Sequence, residues 1–375
     1  HAGVVTLRSQ PRRCAHQVHG RDGEGRARRL ARRRARYGSA GEADTPGTLA
    51  LDTLYSADAG SAKGVYYRVF EAEKGLDGTR KTLYSGGRAD HELPPGEYFV
   101  TASIDKVSGE GTFTVEPGKK TDGVIDLNAG RVTVKVFSTE GGDEVSGNYF
   151  YFSEAALNLE GERQSVYSGG AKDFFLAAGD YHVRVRNDLA SAEQEFSITP
   201  GKLTEVNLYY NAGIANVVVR ATEGGEPLGT YNYLLESTVG LDGKRKSLKS
   251  GGHTKYFVPA GTYVLSSRWG IATGEVEFEV NANQATQVEL ILDAGRIEFT
   301  VVDEDGNEVR GYRWLSESAT GLDGTRKGLQ SGGHSDYSVP VGTYHIRVKD
   351  GDKVGELDGI VVEAGKTTKV QVEIK

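Results

Sequence analysis

One block of sequence recurs along the chain and constrains it more than any other feature. It stands at 75–98 as GLDGTRKTLYSGGRADHELPPGEY, at 240–263 as GLDGKRKSLKSGGHTKYFVPAGTY and at 321–344 as GLDGTRKGLQSGGHSDYSVPVGTY, with a worn copy at 157–181. Glu71, Glu154, Glu236 and Glu317, one ahead of each copy, are separated by 83, 82 and 81 residues. Such a period marks one structural unit copied in tandem, and it overrides the two or three domains that length alone suggests. Extended outward, the copies define β-sandwich repeats at 47–130, 131–213, 214–295 and 296–375. The first three end on Ala-Gly: Ala129-Gly130, Ala212-Gly213 and Ala294-Gly295.

The third repeat shows most clearly what each unit folds into. Segments 215–221, 230–236, 244–249, 254–258, 262–268, 275–280 and 284–292 are short and rich in Val, Tyr and Leu. Gly, Asp-Gly or Pro-x-Gly turns separate them. Seven strands with a turn every 8–12 residues predict an all-β fold, a seven-stranded antiparallel sandwich of the Ig-like or prealbumin-like kind. Within 275–280 (EVEFEV), strict alternation sends Val276, Phe278 and Val280 inward and the three glutamates to water. In the same way Ile297, Phe299 and Val301 share the inner face of the fourth repeat's first strand. Pro-x-Gly preceding a tyrosine (Tyr98, Tyr263, Tyr344; Tyr181 after Ala-Ala-Gly) predicts an inward ring whose hydroxyl bonds a loop carbonyl.

Residues 1–46 differ from the rest. Eleven arginines and no lysine stand there against Asp22, Glu24, Glu42 and Asp44, a net charge of +7, so the remainder carries −14. Three readings fit: a disordered basic tail that binds polyanions, the remnant of an upstream linker, or an out-of-frame translation of GC-rich sequence. Nucleic acid is an expected partner only if this segment is native. Cys14, the single cysteine, permits no internal disulfide. No run approaches the roughly 18 apolar residues of a membrane span, and no secretory signal is visible.

The 259–265 segment (PAGTYVL), the count of seven strands and the EVEFEV–TQVELIL ending resemble the carboxypeptidase regulatory-like or prealbumin-like (transthyretin-like) superfamily, as in bacterial surface proteins. The resemblance covers 47–375. It implies non-catalytic spacers, stalks or interaction modules outside the cytoplasm, at the cell surface or in the periplasm. Tandem copies with Ala-Gly joints also resemble repeat regions that accompany von Willebrand factor A domains, although the metal-binding DxSxS of such a domain is absent from this sequence. Some pilin relatives cross-link a first-strand lysine to a last-strand asparagine beside a glutamate. Lys135, Asn211 and Glu154 occupy those places in the second repeat, where ordinary surface residues are the preferred reading.

No catalytic constellation, phosphate-binding loop or metal motif stands out, so neither an enzyme nor a cofactor is expected. Asp303 to Asn307 resembles part of a calcium loop, but lacks the distal glutamate and predicts a hairpin turn. The GLDG loops carry Asp77, Asp242 and Asp323, each followed by a basic pair: Arg80-Lys81, Arg245-Lys246 and Arg326-Lys327. Asp-Gly is the dipeptide a tight hairpin needs; the basic pair has no such explanation. Arg88, His253 and His334 follow Ser-Gly-Gly at equivalent places. These residues form the candidate interaction face. Trp269 and Trp314 are expected to pack in the core. The expected function is a structural or adhesive rod, stalk or filament subunit that self-assembles or meets protein partners. The alternative is an array of modules binding a glycan or another anionic partner.

The joints between repeats leave almost no linker, which predicts an elongated rod rather than beads on a flexible string. Small-angle scattering checks this: a maximum dimension on the order of 140 Å, from strands rising ~3.3 Å per residue, is expected, and a compact globule would contradict it.

Overall fold

The computed structural model describes residues 44–375. The arginines of the basic segment and Cys14 lie outside the described residues. The described chain forms 28 strands, seven to a repeat, as the turn spacing requires. In the third repeat they span Ala212–Arg220, Tyr231–Val239, Arg245–Gly251, Lys255–Pro259, Gly261–Trp269, Ala272–Val280 and Ala285–Ile291. All boundaries fall within three residues of expectation. The chain divides into two compact units. The first holds the first repeat, and the second holds the other three together with Tyr55–Gly60 and Asp105–Val107.

Each repeat is two sheets. The fourth, first and seventh strands form a three-stranded sheet in that order; the third, second, fifth and sixth form a four-stranded one. The expected antiparallel sandwich holds with one amendment. The first and seventh strands run parallel in every repeat. A parallel pair needs a long crossover, and here the five intervening strands supply it.

The alternation delivers four separate cores, one per repeat. Ile297, Phe299 and Val301 are buried, and Val280 closes the EVEFEV strand while its glutamates stay exposed. Each large apolar side chain so buried contributes roughly 1.5–3 kcal/mol. The turn tyrosines do what the Pro-x-Gly pattern requires. The hydroxyls of Tyr98, Tyr263 and Tyr344 donate to the carbonyls of Pro94, Pro259 and Pro340 at 2.7, 2.8 and 2.7 Å. Tyr181 reaches the Ala177 carbonyl at 3.1 Å. The bond needs only a carbonyl four residues back, so the second repeat dispenses with proline. Burial first, then the nearby glutamate, raises these phenol pKa values, which keeps the donors protonated.

The Ala-Gly pairs lie in the first strand of the repeat that follows. Ala129, Ala212 and Ala294 are buried. A Cβ on Gly213 would sit well inside van der Waals contact of the Asn281 carbonyl oxygen, and one on Gly295 would meet that of Glu363. Glycine is required because the turn between the sixth and seventh strands crosses directly over this strand.

Within the second unit, each repeat completes its successor. The fourth strand is an edge strand, and the turn between the preceding repeat's fifth and sixth strands covers it. Asp188, at φ +49°, accepts the Phe257 N–H at 3.0 Å and the Lys249 ammonium at 2.5 Å. The Leu189 N–H donates to the Phe257 carbonyl at 3.2 Å, and Leu189 packs against the third core. At the next joint Gly270 takes the positive φ, Ile271 N–H donates to Ser338 O at 3.0 Å, and Ile271 packs against the fourth core. A second tie joins repeats two and three: Asn283 Oδ1 accepts the Ser138 hydroxyl at 2.7 Å and the Asp143 N–H at 3.2 Å.

Tyr344→Phe deletes one partly buried hydrogen bond and is expected to cost about 1 kcal/mol. Gly295→Ala, which forces backbone apart, is expected to cost more. Urea denaturation of the two variants checks the order; a neutral Gly295→Ala would contradict the packing of this strand.

Candidate functional site

The hairpin joining the second and third strands gathers most of the nominated residues. Asp77, Asp242 and Asp323 accept the N–H of the residue two ahead at 3.0, 3.1 and 3.0 Å, which closes the loop. Those bonds hold the Asp77 and Asp323 carboxyls below the usual range. The arginines turn back across the hairpin: Arg80, Arg245 and Arg326 Nε donate to the carbonyls of Ala72, Ser237 and Ser318 at 3.1, 3.3 and 3.2 Å. These carbonyls lie where the strand register slips. The lysines reach the period-marking glutamates: Lys81–Glu71 at 2.7 Å, Lys246–Glu236 at 3.0 Å and Lys327–Glu317 at 2.8 Å. The basic pair therefore has a local role that the turn motif alone did not reveal.

Arg88, His253 and His334 lie past the opposite end of the third strand, roughly 20 Å from the basic pairs at ~3.3 Å per residue. The His253 and His334 rings cover Gly251 and Gly332, whose φ of +134° and +146° favour glycine. In the first two repeats Tyr84 and Tyr167 occupy that position, their hydroxyls accepting the Arg88 and Ala171 N–H at 2.9 and 3.0 Å. Histidine thus appears where the third-strand tyrosine is replaced, by Lys249 or Gln330. Elsewhere, Lys135 pairs with Glu205 at 3.5 Å and Asn211 accepts from Thr139 at 3.0 Å, so both behave as surface residues. Asp303 caps its turn by accepting the Asp305 and Asn307 N–H at 3.0 and 2.9 Å.

Two repeated features were missed from sequence. Leu76, Leu159, Leu241 and Leu322 stand fully exposed at the hairpin crowns. On the outer face of the four-stranded sheet, aromatic residues two apart begin the second strand in three repeats: Tyr149–Tyr151, Tyr231–Tyr233 and Tyr312–Trp314. Their ring centroids are 5.0, 5.0 and 4.6 Å apart. Trp314 is 39% exposed, not in the core as expected; Leu315 and Arg313 take the inward positions on either side of it. Trp269 does pack against the third core. The signal was an aromatic at i and i+2 in the second strand of repeats two to four, obscured because tyrosine stands for tryptophan in most copies.

Trp314 lines a cleft of about 690 Å³ in the fourth repeat. Across the strands Trp314 stands opposite Arg347, and Ser316 opposite His345. Ser316 Oγ is 3.2 Å from His345 Nδ1, and His345 Nε2 is 3.5 Å from the Glu356 carboxylate, which also meets Arg347 Nε at 3.3 Å. Arg326 pairs with Asp358 at 2.5 Å. The second repeat holds a matching set, Ser153, His182 and Glu193, with His182 3.6 Å from the carboxylate. Burial, and then the nearby Arg163, lowers the His182 pKa. The same positions are apolar in the first and third repeats: Phe70 with Phe99, and Leu235 with Val264. Opposite Ser316 the third strand carries Gly328, where the other repeats have Thr82, Ser165 and Ser247. The missing side chain opens the cleft.

No family model matches the chain, and no curated protein matches it. Solved structures do. The TIE protein of Bacillus anthracis is 15% identical over 94% of this chain and 79% of that one, at a TM-score of 0.20. A streptococcal ancillary pilin is 16% identical over 66% and 98%, at 0.27. The major pilin subunit of Bacillus cereus is 12% identical over 88% and 99%, at 0.18.

Asp358 supports a pH prediction. The Ser318 hydroxyl, then the Gly359 N–H and Arg326, draw its pKa from 3.8 down to about 2. A depressed carboxylate stabilises the fold above its unfolded pKa, and that contribution is lost as pH falls through the folded value. Asp358→Asn is expected to lower the melting temperature at pH 7, with the gap to wild type closing between pH 4 and pH 2. A gap that persists unchanged at pH 2 would contradict this.

Proposed function

We propose that the chain is a non-catalytic structural or adhesive repeat protein of the cell surface or periplasm, built from prealbumin-like modules and serving as a stalk or filament subunit. The coupling of successive repeats carries this reading. Backbone hydrogen bonds from one repeat to the next, with Leu189 and Ile271 each packed against the following core, suit an element that holds a fixed spacing. The residues nominated as an interaction face support it in a second way. Asp77, Asp242, Asp323 and the basic pairs are engaged within their own hairpins, and close hairpins rather than stand ready for chemistry. The exposed crown leucines favour contact with protein partners, including further copies of the chain.

A second reading, an array of ligand-binding modules, is favoured by the aromatic outer face and its cleft. The anionic-ligand form is the weaker one, because Lys81, Lys246 and Lys327 already have glutamate partners. Immunogold electron microscopy of the cells that make the protein tests the first reading. Label outside the cytoplasmic membrane, on filaments or a surface layer, is expected; label confined to the cytoplasm would contradict it.

A further inference from the structure

We propose that the outer-face cleft of the fourth repeat binds a neutral saccharide. The inference rests on the adhesive reading above and gives it a ligand class. At about 690 Å³ the cleft falls within the size range of small-molecule sites, 300–1,000 Å³.

Its walls are chemically specific. Tyr312 lies 4.6 Å from Trp314 at an interplanar angle of 58°, which steadies an indole that remains 39% exposed. An indole held this way offers a flat apolar surface to the C–H face of a sugar ring. Beside it, Ser316 and His345 are buried yet line the cleft, and Glu356 faces it. Together they offer donors and acceptors side by side, the pairing that sugar hydroxyls need because each both donates and accepts.

Charge selects against an anion. Both guanidiniums at the site are engaged by carboxylates, Arg347 by Glu356 and Arg326 by Asp358. An anionic ligand would have to displace a carboxylate; an uncharged polyol would not.

The other repeats set the limits of the site. The third replaces Ser316 and His345 by Leu235 and Val264, which removes the polar wall. The second keeps Ser153, His182 and Glu193, but Arg184 lies over the Tyr151 ring at 4.9 Å and covers the stacking surface. Ser165 there occupies the place that Gly328 leaves open. Only the fourth repeat combines a free aromatic face, a polar wall and an opening. A Cβ on Gly328 would meet nothing within 4 Å, so a side chain added there fills the cleft without straining the fold.

Trp269→Phe leaves Trp314 as the sole tryptophan and thus as the reporter. Its emission is titrated with uncharged gluco-, manno-, galacto- and N-acetylglucosamine oligosaccharides, with heparin and alginate as charged comparators. At least one uncharged oligosaccharide is expected to give a saturable change, and the charged ones none at equal concentration. By calorimetry, Trp314→Ala is expected to weaken that binding about tenfold, the factor that ~1.4 kcal/mol represents. Gly328→Thr is expected to abolish it with an unchanged urea midpoint. The proposal is overturned if no uncharged oligosaccharide binds saturably, if a charged one binds more tightly, or if both variants bind like wild type. Such a failure, with surface labelling intact, removes the ligand class and leaves the structural reading standing.

Discussion

An edge strand has backbone groups with no partner in its own sheet, and this arrangement turns that liability into the link between repeats. The fourth strand of each repeat lies at such an edge. Left open it would invite pairing with any extended chain. In the second unit the preceding repeat covers it with a tight turn, so that the N–H and C=O of Phe257 both find partners in the second repeat. The residue at that turn must adopt a positive φ, hence Asp188 and Gly270. The side chain after it must be apolar to reach the next core, hence Leu189 and Ile271. Two residues therefore carry both the capping and the packing of a joint.

The same economy explains the recurring block. The tyrosine anchors the turn before the fifth strand, the first Gly of Ser-Gly-Gly admits a ring over the backbone, and the Asp closes the hairpin. The arginine bonds a carbonyl where the register slips, and the lysine pairs with the glutamate that marks the period. Exposed ion pairs of this kind contribute little, about 0–1 kcal/mol, so their recurrence reflects hairpin geometry more than stability. What the block does not use structurally is the leucine at each crown. The aromatic residues on the outer sheet face lie ahead of the block, in the second strand. Function is read more readily from these than from the charged residues, because an exposed apolar group gains nothing for its own repeat.

The strand count, the strand limits and the inward residues were legible because period-two alternation and glycine turns are local properties. The tyrosine bond was legible for the same reason, since donor and acceptor lie four residues apart. The parallel pairing of first and seventh strands was not, because it depends on which sheet each strand joins. Nor were the partners of Arg245 and Lys246: the Ser237 carbonyl and Glu236 become neighbours only once the register slip is known. The cleft was the least legible feature. It arises from a glycine, Gly328, that only the strand pairing places opposite Ser316, and from a tryptophan whose outward orientation follows only from strand parity.

Coupling between repeats is the central claim, and the amide of Phe257 tests it most directly. Hydrogen exchange followed residue by residue by NMR is expected to show this edge amide protected like those of the neighbouring Ala212–Arg220 strand. In Asp188→Ala it should exchange markedly faster, while the amides of that strand keep their rates. Rapid exchange of the Phe257 amide in the wild-type protein would mean that the repeats merely touch, and would contradict the account.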